Sequence, residues 1–223
     1  MKVRPEVVAF DVVETLFALD PVRDRMKDVG FAAEAMPLWF AGFLRDAFAL
    51  DAAGTYAPFK EIAAATLEVA MANEGIEPTE AKVARVLGAF AELPAHPDVR
   101  PALDKLRAAK VRIVTLTNGS AENTRKLLER AGLSDHVEKT ISIDEVKRWK
   151  PAPEVYRHAA QSVGVAPGRM ALVAAHAWDV HGAKRAGLAT GWVVRKDKRV
   201  SRAVAPPDWT GSTLVEVVDR LLG

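Results

Sequence analysis

Asp11, Glu14, Lys150, His176 and Asp179 are the residues of this chain whose types and spacing best suit covalent chemistry. Asp11 closes a short apolar run, Val7-Val8-Ala9-Phe10, with the length and character of a buried parallel strand. In an open α/β sheet ligands bind outside the carboxyl ends of the strands, which places Asp11 where chemistry occurs. A nucleophilic carboxylate needs a cation that keeps it ionised, donors for a developing oxyanion and a device that activates water. The chain offers all three: Glu14 and Thr15 just after Asp11, then Thr117-Asn118-Gly119-Ser120, Lys150-Pro151-Ala152-Pro153 and Ala175-His176-Ala177-Trp178-Asp179. Each segment alone has a plainer reading. Asp11 and Thr117-Asn118-Gly119 suit turns, Lys150 suits solvent, and Asp179 suits a helix N-cap. What favours a site is their agreement in order and in placement at strand ends.

The elements that must position these residues follow from hydrophobic patterning. Segments 7–10, 111–116, 139–143, 170–174 and 190–194 read as buried strands. Amphipathic helices are predicted over 101–109, 122–131, 152–163, 179–186 and 213–222. Strand alternating with helix implies a parallel sheet with right-handed crossovers. Residues 17–92 break that rhythm. They are Ala-rich and strand-poor, with helices predicted near 21–29, 36–49, 57–74 and 79–91. Asp20-Pro21 reads as an N-cap followed by proline at the first helical position, Gly75 as a stop, and Pro78-Thr79 as a start. The fold class is therefore α/β, a Rossmann-like parallel-sheet core (1–16 and 93–223) with a helical cap (17–92) inserted after the first strand.

Composition narrows the partners. The 223 residues are 49% apolar and 27% charged, with a net charge of +2, which leaves no case for wholesale disorder. The basic stretch Arg195-Lys196-Asp197-Lys198-Arg199 is interrupted and lacks aromatics, so it reads as a solvated loop and no nucleic acid is expected. The absence of cysteine removes disulfides, thiolate nucleophiles and cysteine-ligated zinc. Met1, Lys2 and Arg4 precede an apolar run too short for a signal-peptide core, and no window is apolar enough to span a membrane. A cytoplasmic protein is expected.

Taken together, Phe-Asp…Thr-Leu-Phe at 10–17, Leu-Thr-Asn-Gly-Ser at 116–120, Lys-Pro-Ala-Pro-Glu-Val-Tyr at 150–156 and Ala-Trp-Asp-Val-His-Gly-Ala at 177–183 resemble the haloacid dehalogenase superfamily. The resemblance is to its L-2-haloacid dehalogenase branch in particular. It implies that Asp11 displaces halide from C2 of a 2-haloalkanoate and that water then hydrolyses the resulting ester. It further implies that Lys150, held by Asp179, keeps Asp11 ionised, that Thr15, Thr117 and Asn118 bind the substrate carboxylate or the oxyanion, and that the protein is a homodimer. Val13 separates the branches. The phosphatases that resemble this pattern carry a second aspartate there to protonate the leaving alkoxide; valine cannot, and a halide needs no proton. Ala174 and Ala175 also offer no carboxylate for a magnesium site, so neither metal nor other cofactor is expected.

Three departures from the dehalogenase pattern shape the expected chemistry. Glu14 stands where glycine is usual, and Ala174-Ala175-His176 replaces the usual Ser-Ser-Asn. Phe40 follows Leu38-Trp39 where the pattern has arginine. Losing serine and asparagine removes the groups that position hydrolytic water. A His176–Glu14 pair restores that function, with His176 as base and Glu14 as its orienting partner. Trp39, Phe40 and Trp178 either line an apolar halide and alkyl pocket or pack in the core. Two further readings stay open: a phosphatase or a related hydrolase with another leaving group, and a binding protein on a non-catalytic scaffold of the same fold.

Overall fold

The computed structural model describes residues 4–223; residues 1–3, Lys2 of the amino-terminal reading among them, lie outside the described residues. The chain divides into two compact units, one made of the residues up to Phe17 and from Ala95 to Gly223, the other of Ala18–Pro94. These junctions fall one and two residues later than the sequence suggests. Phe17 stays with the first unit because its backbone bridges Val13 and Ala95.

The first unit is a six-stranded, all-parallel sheet in the order β3-β2-β1-β4-β5-β6. The strands are β1 (Val7–Phe10), β2 (Arg112–Thr117), β3 (Lys139–Ser142), β4 (Met170–Ala174), β5 (Ala189–Val193) and β6 (Trp209–Gly211). All four residues of β1 are buried, as a strand covered on both faces requires. β1 pairs with β2 on one side and β4 on the other, Phe10 lying level with Thr115 and Val173. The chain thus winds outward twice from β1, and the crevice at that switch point opens beside Asp11. β6 was not expected; its three residues are too few to give a periodic signal.

Helices α5 (Val99–Ala108), α6 (Ala121–Arg130), α7 (Pro153–Ser162), α8 (Ala177–Arg185) and α9 (Leu214–Leu222) complete this unit. α9 shows why such short helices form. Leu214, Val217, Val218 and Leu221 make one buried stripe, and the Thr213 side chain caps the first turn by accepting from the Glu216 N–H. Nine residues alone are a marginal helix, but each of those side chains contributes roughly 1.5–3 kcal/mol on burial. Packing decides. Ser120 caps α6 in the same way and so fixes the polar turn that precedes it. α8 starts at Ala177 with His176 as its N-cap residue, so Asp179 lies inside the helix and is not its cap.

The second unit contains α1 (Asp20–Asp28), α2 (Ala35–Ala52), α3 (Phe59–Asn73) and α4 (Glu80–Gly88). Thr79 caps α4 by accepting from the Lys82 N–H, and Gly75 follows α3 at φ +71°, a conformation open to glycine at little cost. The expected Asp20 cap is corrected: Leu19 is the N-cap residue, and Asp20 pairs with Arg23 at 2.8 Å. Trp39, Phe40, Phe43, Phe59 and Phe90 form one aromatic cluster with neighbouring ring centroids 4.7–6.4 Å apart. Among the described residues no helix is long and apolar enough to cross a membrane.

Candidate active site

Lys150 is the centre of the site. Its side chain is fully buried, a position a lysine holds only when paired. Its Nζ donates to Asp11 Oδ1 at 2.7 Å, Asp179 Oδ2 at 2.7 Å and the Leu116 carbonyl at 3.0 Å, which engages all three ammonium protons. Tyr156 in turn donates to Asp179 Oδ1 at 2.6 Å. Gly182 makes this packing possible, since a Cβ there would stand 2.5 Å from Pro151 Cβ and 2.7 Å from the Tyr156 hydroxyl. Thr15 completes the shell around Asp11: its hydroxyl donates to Asp11 Oδ2 at 2.6 Å and accepts from the Ala175 N–H at 2.9 Å.

A second, less buried group lies beside the first. His176 Nδ1 stands 3.4 Å from Asp11 Oδ2, and its Nε2 bonds to Glu14 Oε2 at 2.8 Å. Trp178 stacks on the imidazole with centroids 5.2 Å apart and planes at 28°. Glu14 reaches the histidine from a left-handed backbone, φ +64°, a conformation that disfavours any residue with a Cβ. Local bonds hold it there: its N–H donates to the Phe17 carbonyl at 2.8 Å, and its carbonyl lies 3.2 Å from His96 Nε2. The glycine of the related pattern would adopt that backbone without strain.

Charge distributes accordingly. Burial opposes ionisation of Asp11, but the Lys150 charge and then His176 outweigh it and hold the carboxyl well below its ordinary range. Burial likewise opposes charge on His176, yet its contacts with the accepting carboxylates of Asp11 and Glu14, and the negative charges of both, raise its pKa from 6.5 to about 9. The imidazole between two carboxylates is therefore a cation at neutral pH. Glu14 is lowered, because His176 and Lys196 outweigh its burial. Burial raises Asp179, against the pull of Lys150.

Of the sequence-selected residues, Thr15, Lys150 and His176 contact Asp11 directly, and Asp179 and Glu14 reach it through Lys150 and His176. Thr117 turns its hydroxyl inward to accept from the Gly119 N–H at 2.9 Å, and Asn118 Oδ1 accepts from the Lys150 N–H at 3.2 Å. Val13 is half-buried and carries no proton donor. Trp178 lies with its ring centroid 6.0 Å from Lys150 Nζ. Trp39 and Phe40 are buried in the aromatic cluster of the helical unit. Four residues were missed, of which Tyr156 enters the sequence reading only as the last residue of the 150–156 motif. His96 had no motif to mark it, while Arg195 and Lys196 were read as part of a solvated loop. Instead Arg195 forks onto Asp98 at 2.8 and 2.9 Å and donates to the Thr15 carbonyl at 3.1 Å, and Lys196 Nζ lies 3.4 Å from Glu14 Oε1. A basic pair at a strand exit was the only signal, and it does not say where the side chains go.

Comparison with known proteins gives the family. The profile of the haloacid dehalogenase-like hydrolases matches residues 5–187. The chain is 33% identical over 216 residues to (S)-2-haloacid dehalogenase 1 of Pseudomonas sp. (strain CBS-3), covering 96% of this chain and 95% of the relative. It is 28% identical to haloacetate dehalogenase H-2 of Moraxella sp. (strain B), covering 97% and 96%. In fold it is similar to the L-2-haloacid dehalogenase from Xanthobacter autotrophicus solved with chloropropionic acid covalently bound, at a TM-score of 0.90, 24% identity and coverage of 98% and 99%. A buried lysine clamped by two aspartates at the switch point of a parallel sheet, and a profile match across most of its length, make this chain a member of the haloacid dehalogenase-like hydrolase family.

Proposed function

We propose that this hydrolase removes halide from 2-haloalkanoic acids and releases 2-hydroxy acids through an ester on Asp11, with water activated by His176 and Glu14. The observation that carries the reading is the placement of one imidazole, with one nitrogen toward the nucleophile at 3.4 Å and the other on a carboxylate at 2.8 Å. A carboxylate oxygen of Asp11 attacks C2, and the halide leaves with the bonding pair. Lys150 and Thr15 orient the nucleophile, and Lys150 keeps it ionised. Thr15 is better suited to this than to holding substrate, because its hydroxyl is already engaged at both ends. Asn118 offers its amide N–H groups to the substrate carboxylate.

Alkylation changes the base. Once Asp11 is an ester its negative charge is gone, and with it part of what raises His176, so the imidazole releases its proton and becomes a base. Water then attacks the Asp11 carbonyl carbon while Nδ1 takes its proton and Glu14 stabilises the imidazolium through Nε2. Collapse expels the 2-alkoxide, which recovers that proton. Asp11 ionises again, so each turnover releases one halide and one proton. Val13 is harmless to this sequence and unfavourable to phosphate-ester cleavage.

The test is a single turnover in ¹⁸O-labelled water. Label is expected in Asp11 and not in the product hydroxyl, and the ester should accumulate in His176→Asn under rapid quench. Label in the product, or no protein-bound ester during demonstrated turnover, would overturn the reading; Asp11→Asn is the inactive control. The homodimer implied by the resemblance is checked by sedimentation, and a cytoplasmic site of action by fractionation of the source cells.

A further inference from the structure

The β5 exit contributes two consecutive basic residues to the nucleophile loop, and they behave differently. Arg195 is largely buried and fixed by Asp98, which also accepts the Leu214 N–H at 2.8 Å. Its other contact is the Thr15 carbonyl, so the backbone next to Glu14 is anchored from this side. Lys196 is half exposed and reaches the Glu14 carboxylate itself.

We propose that Lys196 is a positioning residue for water activation: it holds Glu14 Oε1 so that Oε2 stays aimed at His176 Nε2, and its charge weakens the grip of that carboxylate on the histidine's proton. This rests on the His176–Glu14 reading given above. Glu14 has two oxygens and one approaching cation for each, Lys196 Nζ at 3.4 Å and His176 Nε2 at 2.8 Å. Without Lys196 the carboxylate can rotate about its last torsion, which is broad for an sp³–sp² bond. The groups facing the pair are Asp11 from the end of β1, Lys150 behind Asp11, Trp178 on the imidazole face, His96 on the Glu14 carbonyl and Lys196 from the β5 exit. Of these, Lys196 is the cation that touches Glu14 without touching Asp11, so it acts on the base and leaves the nucleophile alone. A chain that places a positive base between two carboxylates needs some means of letting the proton go, and a second cation on the far oxygen supplies it.

The experiment is the pH profile of kcat for 2-chloropropionate in the parent, Lys196→Met, Lys196→Glu, Lys196→Arg and His176→Asn. The proton leaves His176 less readily when Lys196 is lost, so the acid limb of Lys196→Met moves to higher pH by roughly 0.3–0.7 unit, the size expected of a part-exposed ion pair. Lys196→Glu moves it further the same way, Lys196→Arg restores it, and KM is unchanged. Salt at about 1 M shrinks the difference, because an exposed charge is screened. If the limb is absent from His176→Asn but does not move in Lys196→Met or Lys196→Glu, the role given to Lys196 is wrong and the His176–Glu14 reading stands. If the parent has no acid limb, or His176→Asn turns over at the parental rate, the underlying reading fails and the Lys196 role fails with it.

Discussion

Two layers of one site follow different physical rules. The inner layer, Asp11, Lys150, Asp179 and Tyr156, is buried, short in its contacts and saturated in donors. The outer layer, Glu14, His176 and Lys196, is part exposed, has Glu14 on a left-handed backbone and is paired at 2.8 and 3.4 Å. Losing Lys150 from the inner layer would leave two carboxylates in the protein interior without a cation. The outer layer can be exchanged piece by piece, and it is where this chain departs from the pattern it resembles. The Lys150 clamp on Asp11 is thus built into the core of the fold, whereas the pair to which water activation is assigned in the proposed function is an attachment to it.

Breaking the inner layer should have the largest effect. Lys150→Met leaves two carboxylates buried without a cation, and a loss of about 3–5 kcal/mol in unfolding free energy is expected, with no measurable dehalogenation. Urea titration and halide release check this; a variant as stable as the parent would erase the contrast. In the outer layer, His176→Asn should keep the fold and slow ester hydrolysis by about 10²–10⁴-fold, with the ester observed by mass spectrometry.

The sign of the pH dependence sharpens the comparison. A histidine raised from 6.5 to about 9 stabilises the fold fully below pH 6.5, and this contribution is lost as pH rises through 9. Resting-enzyme stability should therefore fall by about 3 kcal/mol between those limits, and His176→Asn should flatten the curve. The smallest effect concerns the left-handed residue: Glu14→Gly should be about 1 kcal/mol more stable than Glu14→Ala, because both lack the carboxylate and only alanine keeps the strain. Thermal unfolding of the pair decides it.

Asp11 and the His176 turn were legible in the sequence because they follow apolar runs, where position along the chain nearly fixes position in the sheet, and Lys150 was marked by the prolines that flank Ala152. Val7–Phe10 points to Asp11, and Met170–Ala174 leads to the His176 turn. Asp179 looked ambiguous because an aspartate near a helix start resembles a cap; the true start lies two residues earlier. β6 was hidden by its brevity. His96, Arg195 and Lys196 were hidden for another reason: their partners lie 82 to 182 residues away in the chain, and no local pattern encodes such contacts. The aromatic character of 39–43 was legible, but its closure with Phe59 and Phe90 into one cluster needed the folded unit.

Asp98 has a consequence for local unfolding. By accepting both the Arg195 fork and the Leu214 N–H, it joins the start of α9, the β5 exit and, through Arg195, the loop that bears Thr15. Fraying of α9 from its first turn removes one of those restraints, so the last helix and the loop bearing Thr15 should open as one cooperative segment. Amide hydrogen exchange at Leu214 would then report the opening of a loop whose side chains surround Asp11, from a helix that supplies none of them.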